Sequence, residues 1–239
     1  MPRRVAPAID SALADKNAIG RPSTRRWRAS LLGSCLRQQF YAADKVPQTN
    51  PPDDRALRIF ERGHLTAEVL NRYLARSKDV LLYTEEVHLE WDQYDFAVNV
   101  DAYVEWRDGT HEVLEFKSMN SKGFTYLRGE PKPEHAIQVA VGRLLMESAL
   151  RYFDIGARVV YVSADDWRME EFEIGREWDK KAVRILEALR YFDDGGRWTY
   201  PPRLRFKAGV DPRTKYPCSW CSWRDLCRPP EPMPVKESR

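Results

Sequence analysis

Cysteine is scarce in this chain of 239 residues: there are four, and three of them, Cys218, Cys221 and Cys227, crowd one short segment while Cys35 stands alone far upstream. No signal peptide is recognisable, and a chain this long can build a core without cross-links, so disulfides are disfavoured. Long apolar runs are also missing, which excludes a helical membrane span of the usual roughly 20 residues. There is little excess of charge of either sign: 39 basic against 36 acidic residues leave a net charge of +3, too small to prove a polyanionic partner. Internal repeats are absent, which excludes a solenoid or array, and no composition break marks a second domain. What remains is an ordinary globular balance, 43% apolar and 31% charged. The expected organisation is a flexible tail over 1–20, one domain over 21–230 and a short tail over 231–239.

The order of elements follows from periodicity and turn chemistry. Asp53 or Asp54, after Pro51 and Pro52, can cap a helix that runs to about residue 76 through Leu57, Phe60 and Val69. Strands are expected over 80–91, 94–106 and 110–118, the first two joined by a turn at Asp92 and Gln93. Residues 119–132 read as a loop. A second helix starts at Pro133, favourable in a first turn, and continues to about 152. Two more strands over 157–163 and 168–174 precede a third helix over 176–192, with Ala182, Ile185, Leu186 and Leu189 as its apolar stripe. The C-terminal remainder has little regular periodicity.

The Asp108-Gly109 turn sets the register of the central hairpin. A three-residue loop of Arg107, Asp108 and Gly109, with Gly109 at positive φ, pairs Trp106 with Thr110, Val104 with Glu112, Ala102 with Leu114 and Asp101 with Glu115. Because side chains alternate with a period of two, Lys117 joins Glu115 and Asp101 on one face, and Val98, Val100, Ala102, Val104, Leu114 and Phe116 fill the other. Glu112 alone spoils that apolar face. A slip of one residue would scatter the cluster. Two carboxylates placed opposite each other repel, so the pair calls for a cation between them or a raised pKa on one. Hard oxygen donors suit Mg²⁺ or Mn²⁺. The plain alternative is a solvated salt-bridge face.

The cysteines form a second constellation, CxxCx5C plus Cys35. Four thiolates suit a [4Fe-4S] cluster or a tetrahedral zinc. Structural zinc sites usually draw on two local knuckles, whereas one ligand here is remote, so iron-sulfur is favoured and Zn²⁺ is the alternative. Unligated core cysteines are the third reading, weakened by their clustering beside Trp220 and Trp223.

Cys35 followed by LRQQFY, Asp101, the run Glu115-Phe116-Lys117, Gln138 on a helix and the closing CxxCx5C together resemble the iron-sulfur branch of the PD-(D/E)XK nuclease superfamily. That branch includes RecB-like exonucleases, the AddB nuclease domain and CRISPR-associated RecB-like nucleases. The resemblance spans about residues 35–227. It implies an α/β, restriction-endonuclease-like mixed sheet flanked by helices, with a cysteine-ligated cluster stapling the N- and C-terminal segments. It further implies metal-dependent DNA hydrolysis in recombination, repair or phage DNA processing. DNA is the implied partner, a recombination or repair protein a second one, and the cytoplasm of a bacterial or phage-infected cell the location. Asp101 and Glu115, with the Phe116 carbonyl, would hold Mg²⁺ or Mn²⁺, while Lys117 would orient or activate the water and Gln138 would hydrogen-bond the water, the amine or a phosphate. A cluster-bearing DNA-binding scaffold without catalysis and a zinc-stapled adaptor are the competing functions.

The chain departs from the family pattern twice. Where the family often places His four residues after a Gly, Gly63 is followed by Ala67, flanked by His64 and Glu68. Either could be the extra ligand; Glu68 is preferred because a carboxylate suits Mg²⁺ better than imidazole. Where the family usually has Tyr four residues after the Gln, this chain has Gly142. Outside the centre, Arg21, Arg25, Arg26 and Arg28 surround Trp27 and could meet a phosphate backbone and an unstacked base, as could Lys122, Arg128 and Lys132 in the loop.

Overall fold

The computed structural model describes residues 4–19, 24–152, 154–194 and 200–229. Along the chain these form helix α1 (Val5–Ile19), strand β1 (Trp27–Arg28), helices α2 (Leu36–Ala43) and α3 (Asp54–Leu74), and strands β2 (Val80–Trp91), β3 (Phe96–Trp106) and β4 (His111–Met119). Helices α4 (Ser121–Thr125) and α5 (Pro133–Leu150), strands β5 (Ile155–Ser163) and β6 (Met169–Glu173), and helices α6 (Glu177–Asp194) and α7 (Arg224–Cys227) follow. The strands make one mixed sheet: β1 to β3 and β4 to β5 are parallel, while β2 to β3, β3 to β4 and β5 to β6 are antiparallel.

The hairpin has the register that its turn chemistry demands. Ala102 pairs with Leu114 and Val104 with Glu112. The Trp106 N–H donates to the Thr110 carbonyl (2.8 Å), and Gly109 sits at φ +87°. Glu112, the polar intruder on the apolar face, is satisfied by Trp106 Nε1 (3.0 Å) and by Arg158 (2.6 Å). A buried carboxylate tolerates such a place only when its acceptor sites are filled.

One feature of the strands reverses the expected faces. Ala102, Val104, Leu114 and Phe116 join Val160 and Val162 under α3, as alternation requires. Val98 and Val100 do not share that layer; they belong to the opposite one, with Tyr103, Val113, Val159 and α5. The flip lies between Val100 and Ala102. Its partner across the ladder is Glu86, a non-glycine residue at φ +50°, lying between Glu85, which pairs with Ala102, and Val87, which pairs with Val100. Both strands rotate there together, so pairing survives while the side chains exchange faces. A left-handed residue supplies that rotation, and nothing in alternation announces it.

Helix α3 begins as its cap dictates, with the Asp53 carboxylate accepting from the Ala56 N–H at 2.7 Å. Helix α5 is buried on nearly every side, between the sheet and α6. It packs closely on the sheet at Gly142, where an added Cβ would stand 2.9 Å from Val100 Cγ2. The small residue that departs from the family pattern is thus a packing requirement of this chain. Buried Arg143 ties α5 to α6, donating to the Ile174 carbonyl at 2.6 Å and to Asp179.

Two expected irregular segments are ordered. Residues Val5–Ile19, expected as a tail, form α1, none of whose described residues is buried. Ion pairs of Lys16 with Glu61 (2.6 Å) and of Asp10 with Arg58 (2.5 Å) hold it to α3, so no apolar stripe was there to read. The loop after β4 contains α4, capped by Asn120, which accepts from the Gly123 N–H at 2.7 Å. The expected tail over 231–239 lies outside the described residues.

Candidate active site

Strand β3 has two edges, and β2 occupies one of them throughout. The other is shared: β1 lies beside Phe96 and Ala97, and β4 beside Ala102 to Glu105. Beyond Leu114, the described ladder of β4 is with β5 alone. Strands β3 and β4 therefore part at Asp101 and Glu115, opening a notch in the sheet. The Asp101 side chain bridges its apex, accepting the Phe116 N–H at 2.7 Å in place of a ladder bond.

The notch gathers four of the expected residues. Lys117 Nζ forms an ion pair with Glu115 and donates to Gln138 Oε1 at 3.2 Å. The Glu115 side chain is only 3% exposed and that of Lys117 25%. Burial first, and then the Asp101 carboxylate, push the Glu115 carboxyl up to about 8 against the pull of Lys117. Burial likewise raises Asp101, with Glu86 adding to the rise and Lys117, the Phe116 N–H and His64 opposing it. Burial works against the Lys117 ammonium, but Glu115 and Asp101 outweigh it and hold the amine above its ordinary range. With both acids ionised the notch would hold two negative charges against one amine; the raised carboxyls register that repulsion, and a bound cation would relieve it.

Glu68 is exposed and paired with Arg72 at 2.9 Å, four residues along α3. His64, one turn earlier on α3, makes the smallest of the opposing contributions at the Asp101 carboxyl. The i,i+4 partner drew Glu68 aside, a local interaction that competes with any distant one. Arg25 and Arg26 are spent within the fold as well: Arg25 contacts Glu90 (2.8 Å) and Asp92, and Arg26 contacts Asp44 and Asp193, each at 3.1 Å, while lying over Trp27. Arg28, Lys122 and Arg128 are exposed, and Arg21 lies outside the described residues.

Three neighbours escaped the sequence reading. Glu86 adds negative charge at Asp101. His135 lies one turn before Gln138 on α5, and Tyr161 stands beneath it on β5, their Nδ1 and hydroxyl 2.9 Å apart. The Tyr161 oxygen also accepts the Lys132 N–H at 2.9 Å. Burial, then the nearby Lys117 and Lys132, push the His135 pKa down to about 2. The i,i+3 spacing of His135 and Gln138 was the available signal.

A neutral His135 has a stability consequence. The unfolded imidazole takes up a proton below about pH 6.5 while the folded one does not, so stability falls on acidification through that window, by at most about 1.4 kcal/mol per pH unit. Glu115, held up at about 8, keeps its proton through the same window and contributes in the opposite direction. The test is therefore the difference between two proteins: in urea unfolding from pH 4.5 to 7, the stability of the wild type should fall on acidification more steeply than that of His135→Gln, by up to about 1.4 kcal/mol per pH unit, and identical slopes would refute a neutral His135.

Away from the notch residues, Cys35, Cys218, Cys221 and Cys227 line one small cavity of about 20 Å³, together with Arg37, Tyr41 and Arg224. Burial raises the Cys35 and Cys221 thiols, and each is raised further by the other cysteines. Among the described residues, no three His, Cys, Asp or Glu side chains have closed to metal-ligating spacing. The segments are also tied directly: Trp223 Nε1 donates to the Val46 carbonyl and the Asn50 N–H to the Ser222 carbonyl, each at 2.8 Å.

The sequence matches the PD-(D/E)XK nuclease superfamily over residues 10–228. The chain belongs to this superfamily. Solved structures of similar fold include SSO0001, at 15% identity and a TM-score of 0.57, covering 94% of this chain and 96% of that one. The alkaline exonuclease LHK-Exo from Laribacter hongkongensis, in complex with dAMP, aligns at 16% identity and a TM-score of 0.50, covering 71% of this chain and 88% of its own. No curated protein sequence matches. Within the superfamily fold the sheet is mixed and flanked by helices, and none of the described helices is long and apolar enough to cross a membrane.

Proposed function

We propose that this PD-(D/E)XK nuclease is a DNA exonuclease dependent on Mg²⁺ or Mn²⁺, with a structural [4Fe-4S] cluster on its four cysteines. The observation that carries the first part is the notch between β3 and β4, where Asp101, Glu115, Lys117 and Gln138 meet. The donor set fits a hard divalent ion: the Asp101 and Glu115 carboxylates and the Phe116 carbonyl would hold it, with His64 in reach of the Asp101 side. When bound, the ion supplies an acidified water and a counter-charge for the phosphate. Lys117 holds and polarises the attacking water, and Gln138 fixes the amine by accepting its hydrogen bond. Glu115 and Asp101 in turn keep that amine protonated.

The cysteine donor set fits a soft-metal group. One remote thiol joined to a local CxxCx5C suits a cluster better than a single zinc, whose structural sites usually draw on two local knuckles. The proposed setting is recombination, repair or phage DNA processing in the cytoplasm. Anaerobically purified protein given strand-end-labelled DNA with Mg²⁺, Mn²⁺ or chelator tests the reading: cleavage should need the divalent ion and shorten the label from one end. Binding without cleavage under every metal would favour a scaffold.

A further inference from the structure

The segment between β4 and α5 is the covalent link between the two halves of the notch. It starts three residues after Lys117 and ends at the turn that carries His135 and Gln138. Its shape is well determined. Ser121 donates through its backbone to Asp165 at 2.7 Å, Asn120 caps α4, and Phe124 and Leu127 are driven into the core, at 9% and 5% exposure. Three successive turn bonds follow, from Tyr126 to Gly123, from Leu127 to Phe124 and from Glu130 to Leu127, each within 3.1 Å.

Between the two buried anchors, Tyr126 projects outward, 60% exposed. Tyr73, Tyr191 and Trp220 are exposed as well; Tyr126 differs from them in standing on the segment that joins Lys117 to Gln138. Two residues on, Arg128 adopts φ +51° and Gly129 φ +79°, a left-handed corner that turns the chain back, and the Arg128 guanidinium lies 5.9 Å from the Tyr126 ring centre. The result is an aromatic face with a cation beside it, on the loop joining Lys117 to Gln138.

We infer that Tyr126 and Arg128 form a stacking platform for an unpaired nucleotide at a DNA end, Tyr126 taking the base and Arg128 the adjoining phosphate. The inference rests on the nuclease reading and adds a substrate class, DNA with a frayed or single-stranded end. A ring stacks on any base, so the contact is sequence-tolerant, and a paired base inside a duplex cannot reach it.

Binding of a fluorescein-labelled oligodeoxythymidylate and of a blunt duplex, measured by anisotropy in chelator, tests this without cleavage. Tyr126→Ala should weaken the single strand roughly tenfold while leaving the blunt duplex unchanged. Tyr126→Trp should restore single-strand affinity. Arg128→Gln should lower the slope of log affinity against log salt by about 0.7, one phosphate of a single strand. Equal binding by Tyr126→Ala and wild type, or equal losses on both DNAs, would overturn the platform. If wild type cuts but Tyr126→Ala binds normally, the platform alone fails; if binding behaves as expected but no metal supports cutting, the nuclease reading alone fails.

Discussion

Glu115→Gln will lower metal-dependent cleavage by roughly 10³-fold or more and will at the same time leave the metal-free protein as stable as the wild type or more so. The first effect follows from removing a ligand that touches the ion, since even partners one shell further out are worth 10–100-fold in metal affinity or activity. The second follows from charge. Two carboxylates and one amine share the notch, and the Glu115 side chain is almost wholly buried; neutralising it removes the repulsion with Asp101 while Asp101 keeps Lys117 as a partner. Thermal unfolding with and without Mn²⁺ separates the effects. Wild type should gain about 2.7 kcal/mol at a hundredfold excess over Kd, and Glu115→Gln should lose most of that gain. A variant that cuts like the wild type would refute the assignment, and so would one that keeps the full Mn²⁺ shift.

Cys221→Ala will lose its iron-derived colour and about 4–5 kcal/mol of stability, the order of the chain entropy released when a cross-link closing a loop of this length is cut. The loss should not be total. Trp223 and Asn50 still join the C-terminal segment to α2 and the residues after it, and Tyr41 still stacks near Trp223, with ring centres 5.9 Å apart. Limited proteolysis should therefore cut first within residues 200–229, before the sheet opens. Iron analysis and a melting curve on the same anaerobic sample decide the matter: a variant with full iron content and an unshifted Tm would remove the staple.

These two predictions draw on different kinds of legibility. The acid pair was readable because its geometry is local. An Asp-Gly turn of odd length and a side-chain period of two place Asp101 opposite Glu115, and the ladder from Ala102 to Glu105 has that register. The reversal at Glu86 was not readable, because a left-handed residue in mid-strand is imposed by how β2 and β3 twist around α3 and α5. That reversal moved Val98 and Val100 to the α5 side, where Gly142 receives Val100. Arg25 and Arg26 read as DNA-facing cations because their acidic partners, Glu90, Asp92, Asp44 and Asp193, lie far away in the chain.

From sequence alone came the hairpin register, the capped start of α3 at Asp53, the superfamily motif and the pairing of Cys35 with a distant CxxCx5C, since each is encoded by neighbouring residues or a recognisable pattern. Tertiary structure alone decided that β3 and β4 part at the acids, that Glu68 pairs with Arg72, and that His135 and Tyr161 meet beside Gln138. The first and last of these depend on elements remote in the chain meeting at particular angles, and on burial, which raises Glu115 to about 8 only once the surrounding sheet and helices have excluded water.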